Sequence, residues 1–180
     1  PTETLVEQLI NEVPASELRS RVEMRYVPTD TINRWVQAKE GQRLERGFSD
    51  EIARRAIRIR RALIRELHDA GAGILLGSDA PQVFNVPGFS LHRELELMVA
   101  AGLTPFEALR AGTANVARFL GLRTGVIETG READLVVLDS NPLVDISSTR
   151  RVHGVMVRGN WYPAAEIEAL LERYRLDDRD

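Results

Sequence analysis

Gly73-Ile74-Leu75-Leu76-Gly77-Ser78-Asp79-Ala80 is the stretch whose reading decides the fold. It is an apolar run too short for a helix, bounded by glycines and closed by a carboxylate. Such a run predicts a strand buried on both faces, as in a parallel sheet covered by helices on either side. Asp79 then stands where the strand stops. In a (β/α) barrel the strand C-terminal ends form the floor of the active site, which makes Asp79 a catalytic candidate. The alternative at this point is an N-cap or loop carboxylate making Asx-turn bonds.

On the N-terminal side, Ser49 or Asp50 caps the longest helix, which runs to about Ala70. Ile52, Ala56, Ile59, Leu63 and Leu67 form its apolar stripe. Arg54, Arg55, Arg58, Arg61 and Arg65 fill the remaining surface and read as a solvated face rather than a polyanion site. Gly71 stops the helix. The order helix, glycine turn, buried strand, carboxylate has the rhythm of a βα barrel. On the C-terminal side, the loop Pro81-Gln82-Val83-Phe84-Asn85-Val86-Pro87-Gly88-Phe89 reads either as a pocket wall or as a rigid surface connection. As a pocket wall it offers Phe84 and Asn85 to a substrate. A helix follows from near Ser90 to Gly102. Thr104-Pro105-Phe106-Glu107 is a capping box with proline at the first helical position. Thr113 caps a third short helix, stopped by Gly121.

The N-terminal region reads as a helix carrying Leu5, Leu9 and Ile10, then a short helical segment at Ala15-Ser16-Glu17-Leu18. Val22 to Val27 alternates apolar and charged residues and predicts a strand. Thr31 to Lys39 predicts a short helix anchored by Trp35, and Gly41 to Ser49 a polar loop. Past Gly121 the composition changes. Short strands are expected at Thr124–Ile127, Ala133–Asp139 and Arg151–Arg158, with Gly159-Asn160 turning the last into Trp161-Tyr162. With no helices between them they form a small all-β unit. A helix from Ala164 to Tyr174 follows, and Asp177-Asp178-Arg179-Asp180 should fray.

Composition narrows the function. The 180 residues are 43% hydrophobic and 28% charged, ordinary for a globular domain but short of the roughly 250 residues of a complete (β/α)8 barrel. A net charge of −3 gives no reason to expect nucleic acid or an anionic membrane as partner. Cysteine is absent, which removes disulfides, a thiolate nucleophile and Cys-based zinc sites. No run approaches the ~20 apolar residues of a transmembrane helix and no signal peptide is visible. The compartment is unread, with the cytoplasm favoured.

In this order the pieces resemble the C-terminal part of the metal-dependent amidohydrolase superfamily, nearest its imidazolonepropionase-like and prolidase-like members. Four segments carry the resemblance: Gly77-Ser78-Asp79-Ala80; Leu91 to Leu97 continued through Ala101-Gly102-Leu103-Thr104-Pro105; Ala108 to Ala117; and Gly125 to Asp139. They cover about residues 60–160. The resemblance implies an α/β fold, the C-terminal portion of a (β/α)8 TIM-type barrel in residues 1–122, part of a small β-sandwich in 123–163, and a C-terminal helix and tail in 164–180. It also implies metal-activated water attacking an amide, cyclic amide or dipeptide-like C–N bond. Asp79 matches the aspartate ending the eighth barrel strand, which helps bind the metal and accepts a proton from its water. One or two divalent ions, zinc favoured, are the cofactor implied.

The sequence departs from the family pattern upstream. There is no His-x-His pair, and the histidines are His68, His92 and His153. A catalytic zinc site takes about three protein ligands plus water, so most ligands are expected outside these residues. The chain reads as holding roughly the last two barrel strands, with the missing N-terminal part of the same barrel as its partner, inactive by itself. A small-molecule substrate is expected, and homo-oligomerisation is compatible with the sequence. His92 opens the helix near the site mouth and is a candidate for substrate contact, against a structural helix-start role. His68 reads as a helix C-terminal residue favoured by the dipole. His153, Asp134 and Asp139 read as structural. A reading of a different class is a truncated or diverged barrel segment that acts as a non-catalytic binding module.

Overall fold

The structure is a computed structural model that describes residues 3–176. The expected fraying of Asp177 to Asp180 lies outside the described residues. The N-terminal half is helical: α1 (Glu3–Ile10), α2 (Ala15–Arg19), a 3-10 turn at Val22–Tyr26, α3 (Thr29–Leu44) and α4 (Asp50–Asp69). After an extended segment come α5 (Phe89–Ala100), α6 (Pro105–Ala111) and α7 (Ala114–Leu120). Then β1 (Leu135–Leu138), β2 (Val152–Val157) and β3 (Asn160–Pro163) form an antiparallel sheet in the order β1-β2-β3, followed by α8 (Ala164–Glu172).

Two apolar clusters hold these elements. One joins Ile64 of α4 to Leu95 and Met98 of α5, Leu103, Ala108 and Ala111 of α6, and Ile146, with Ile74 and Leu76 packed against it. The other joins Ala15 and Leu18 of α2 to Met24, Ile32, Phe84 and Val86. Local signals end several helices as the sequence indicates. Thr104 and Glu107 make both bonds of the capping box. Gly71 (φ 79°) follows α4, and Gly121 (φ 66°) ends α7 in the left-handed region that only glycine enters without strain.

Elsewhere tertiary contacts override the local pattern. The strand expected at Val22–Val27 is a 3-10 turn, with Met24 N–H donating to Arg21 O at 3.0 Å and Val27 N–H to Met24 O at 3.1 Å. Adjacent Glu23 and Met24 are both buried while Val22 is 53% exposed, a pattern that an alternating strand cannot produce. The loop expected at Gly41–Ser49 begins four residues later, since the connection runs over 45–49 and α3 continues to Leu44. Its anchors lie on either side of Gly41. Lys39 Nζ donates to Gln8 O (2.6 Å), Asn11 O (3.1 Å) and Asn11 Oδ1 (2.9 Å), and Arg43 Nη1 donates to Asn11 O (3.2 Å). Lys39 thereby places a cation on the carbonyls ending α1, where the helix dipole is negative.

The apolar stripe of α4 is present but faces outward among the described residues. Ile52, Ile59 and Leu63 are each more than half exposed, while Ala53 and Ile64 are buried. Spacing determines which residues share a face, not what covers it. The segment at Gly73–Asp79 is extended but half-buried, and among the described residues its one backbone–backbone bond to another element is Leu76 N–H to Ala111 O at 3.1 Å. It pairs with no strand among the described residues. Thr124–Ile127 is not a strand either. Gly125 (φ 82°) lies so close to Thr113 O that a Cβ would sit 2.7 Å from it, and Ile127 is 90% exposed. The β2–β3 hairpin is there, but Val157 pairs with Asn160, so the turn residues are Arg158 and Gly159, one position earlier than expected. Both have positive φ, 50° and 81°, the requirement of a type I′ turn.

Candidate functional site

The extended segment delivers Asp79 to the surface with φ 53°, a region that non-glycine residues enter rarely and aspartate more readily than most. One carboxylate oxygen, Oδ2, accepts from Gln82 Nε2 at 2.7 Å, and the side chain remains open to solvent. The residue before it is locked. Ser78 is 5% exposed, with its Oγ 2.8 Å from Ser90 Oγ in the first turn of α5, and its carbonyl accepts from Asn85 Nδ2. Gln82 and Asn85 exchange backbone bonds (Gln82 N–H to Asn85 O at 3.2 Å, Asn85 N–H to Gln82 O at 2.8 Å), closing the loop on itself. Asp79 is thus an exposed carboxylate on a fixed base.

Phe84 and Asn85 are corrected from pocket wall to interior. Both are 0% exposed. Phe84 meets Trp35 edge to face with ring centroids 5.7 Å apart. Asn85 spends its amide on Ser78 O and accepts from Gln8 Nε2 at 3.4 Å. Neither presents surface to a substrate in this arrangement. The exposed loop residues nearest Asp79 in sequence are Pro81 and Gln82. Gln82 is the neighbour that sequence reasoning passed over. No motif marks it, and only the fold of the loop brings its amide back to the carboxylate three residues earlier.

The histidines go to separate places. His92 Nδ1 lies 3.0 Å from Thr149 Oγ1, and that hydroxyl donates to Ile146 O at 2.9 Å. The hydroxyl hydrogen being committed, Nδ1–H is the donor to Thr149 and the neutral ring keeps its proton there. Burial lowers the His92 pKa below 6.5, and the Arg150 and Arg93 charges push it the same way against Glu96. His92 is therefore a neutral ring tied to the 3-10 turn Ile146–Arg150, and its bonded partner is Thr149 rather than Asp79. His68 Nε2 sits 3.0 Å from Glu107 Oε1. Glu107 is held down to about 2, by its bonds to the Thr104 backbone and hydroxyl and then by His68. His153 Nδ1 meets Asp139 Oδ1 at 3.0 Å, and Asp134 Oδ1 accepts from Arg158 N–H at 2.7 Å. Both aspartates serve the β unit.

These positions bear on a metal. Among the described residues no three His, Cys, Asp or Glu side chains come together. Asp79 offers one carboxylate, half engaged by Gln82, which does not fit a complete catalytic metal centre. Also among the described residues, no helix is long and apolar enough to cross a membrane.

The model of the amidohydrolase family matches residues 12–162, and the chain belongs to that family. Over 81 residues it is 41% identical to an ochratoxinase from Aspergillus niger, covering 43% of this chain and 16% of that protein. Over 87 residues it is 42% identical to an imidazolonepropionase from Deinococcus deserti, covering 47% of this chain and 22% of that protein. The solved structure of a bottromycin amidohydrolase superposes on 97% of this chain and 38% of its own, with a TM-score of 0.74 at 23% identity, a likeness of fold. The chain thus matches less than a quarter of the length of each of these two curated relatives.

Proposed function

We propose that this chain is the C-terminal part of an amidohydrolase that cleaves amide, cyclic amide or dipeptide-like C–N bonds with a metal-activated water. The observation carrying this reading is Asp79 itself, an exposed carboxylate on the end of an extended segment, with the residue before it buried and bonded on two sides. Packing and bonds spent on Ser78, Asn85 and Ser90 fix where Asp79 points, as expected of a group whose chemistry depends on position. Its role is to hold a divalent ion together with ligands supplied from outside these residues, and to take a proton during hydrolysis. Zinc is the ion we favour. The remainder of the barrel is the partner, and the segment at Gly73–Asp79, which pairs with no strand among the described residues, is where it adds. Residues 1–180 alone are then inactive.

The test is Asp79→Asn in the complete protein, assayed on N-acyl amino acid and cyclic amide substrates beside residues 1–180 alone. Turnover should fall by about two orders of magnitude or more with an unchanged melting curve. Near-normal turnover in the variant would remove Asp79 from the chemistry, and turnover by residues 1–180 alone would remove the requirement for the remaining barrel.

A further inference from the structure

A cavity of about 340 Å³ opens between α2, the 3-10 turn Val22–Tyr26, the start of α3 and the chain after α8. None of its lining residues belongs to the Asp79 loop. Its walls carry Arg19, Arg21, Arg25 and Arg175, with Ser20 and Thr29 among them, and include no carboxylate among the described residues. Among the described residues, the hydrogen bonds of Arg19, Arg21 and Arg25 go to neutral acceptors. Arg19 Nη1 donates to Asn33 Oδ1 at 2.9 Å, Arg25 Nε to Val22 O at 2.9 Å, and Arg21 to Gln8 Oε1. These acceptors are all neutral. Arg175 is paired with Glu172 at 3.0 Å.

Among the described residues, one nearby carboxylate is engaged elsewhere. Glu23, 1% exposed, is taken by Arg93. Arg93 Nη1 is buried without a hydrogen-bond partner, a state that proteins rarely leave uncompensated. Arg21 is lowered to about 10, first by burial and next by the Arg93 charge, which the carboxylates of Glu23 and Glu17 only partly oppose. Arginines gathered around one cleft, with no carboxylate among its described lining residues, suit the oxygens of a phosphate, which guanidinium groups meet through paired N–H donors.

We propose that this cleft binds a small polyanion of the phosphate class, with Arg19, Arg21 and Arg25 as its ligands and Arg175 closing it from the end of α8. Leu176 N–H donates to Arg25 O at 2.9 Å, so a bound anion bridges the chain after α8 and the turn beside α2. The site stands independently of the reading of Asp79.

The experiment is isothermal titration of the whole chain with sodium pyrophosphate, with citrate as the carboxylate comparison, at about 0.15 M ionic strength to suppress non-specific attraction. Saturable binding of pyrophosphate is expected, weakened about tenfold or more in the Arg19→Gln/Arg25→Gln pair and partly kept in Arg25→Lys. Both arginines are exposed, and circular dichroism checks that the pair variant is folded. Because Asp177, Asp178 and Asp180 follow Leu176 in sequence, a form ending at Leu176 is titrated as well. No saturable binding by the whole chain, binding by the shortened form only, or binding untouched by the pair substitution would overturn the site. Equal affinity for citrate would overturn its phosphate class.

Discussion

At the scale of single residues, Lys39 combines burial with charge. It is 1% exposed, and its ammonium is held by three oxygens with no carboxylate among its bonded partners. Burial, with Arg43 and Arg21 adding to it, lowers its pKa from 10.5 to about 8. Between those two values the unfolded chain binds the proton that the folded chain has released, so this residue's contribution to stability rises with pH across that window. Below pH 8 both states carry the charge and the desolvation cost is borne in full. Urea unfolding at pH 7.5 and 9.5 should therefore show wild type gaining on Lys39→Met as pH rises. A gap independent of pH would mean that the ammonium titrates normally. His92 acts on the acid side: its lowered pKa withdraws stability as pH falls below 6.5.

At the scale of elements, α3 shows where local reading stops. Gly41 lies inside it with an ordinary helical φ, and a Cβ there would meet nothing within 4 Å. The glycine weakens a helix that Lys39 and Arg43 hold to α1 from either side. Gly41→Ala should raise stability by about 1 kcal/mol, read as a shift in the urea midpoint without change of slope. A loss would mean that Gly41 is needed for more than the helix. The contrast with α6 is instructive. Thr104 and Glu107 carry their partners within four residues, so the capping box is legible in sequence. The docking of α3 on Gln8 and Asn11 spans about thirty residues and is not. The same division runs through the site. The place of Asp79 at the end of an extended apolar run is legible, although that run is half-buried rather than buried. The burial of Phe84 and Asn85 is not, because a proline-rich loop looks the same whether it lies over a pocket or folds into the core.

For the whole molecule, the exposed stripe Ile52, Ile59 and Leu63 on α4 and the segment at Gly73–Asp79, which pairs with no strand among the described residues, are surfaces that ordinary folded chains cover. Residues 1–180 by themselves should elute from a sizing column as an associated species, and Ile59→Gln with Leu63→Gln should move them toward the monomer position. A monodisperse wild-type monomer would show these surfaces to be tolerated. Lys39 has one more consequence, this time for reagents. It is the only lysine in the sequence, and every other basic side chain is arginine or histidine. The folded chain therefore offers no accessible side-chain amine to an acylating label, and no open bond to a protease that cuts after lysine. At the Lys39 side chain either agent reports the parting of α1 from α3, so the rate of labelling or cleavage there measures how often that one contact opens.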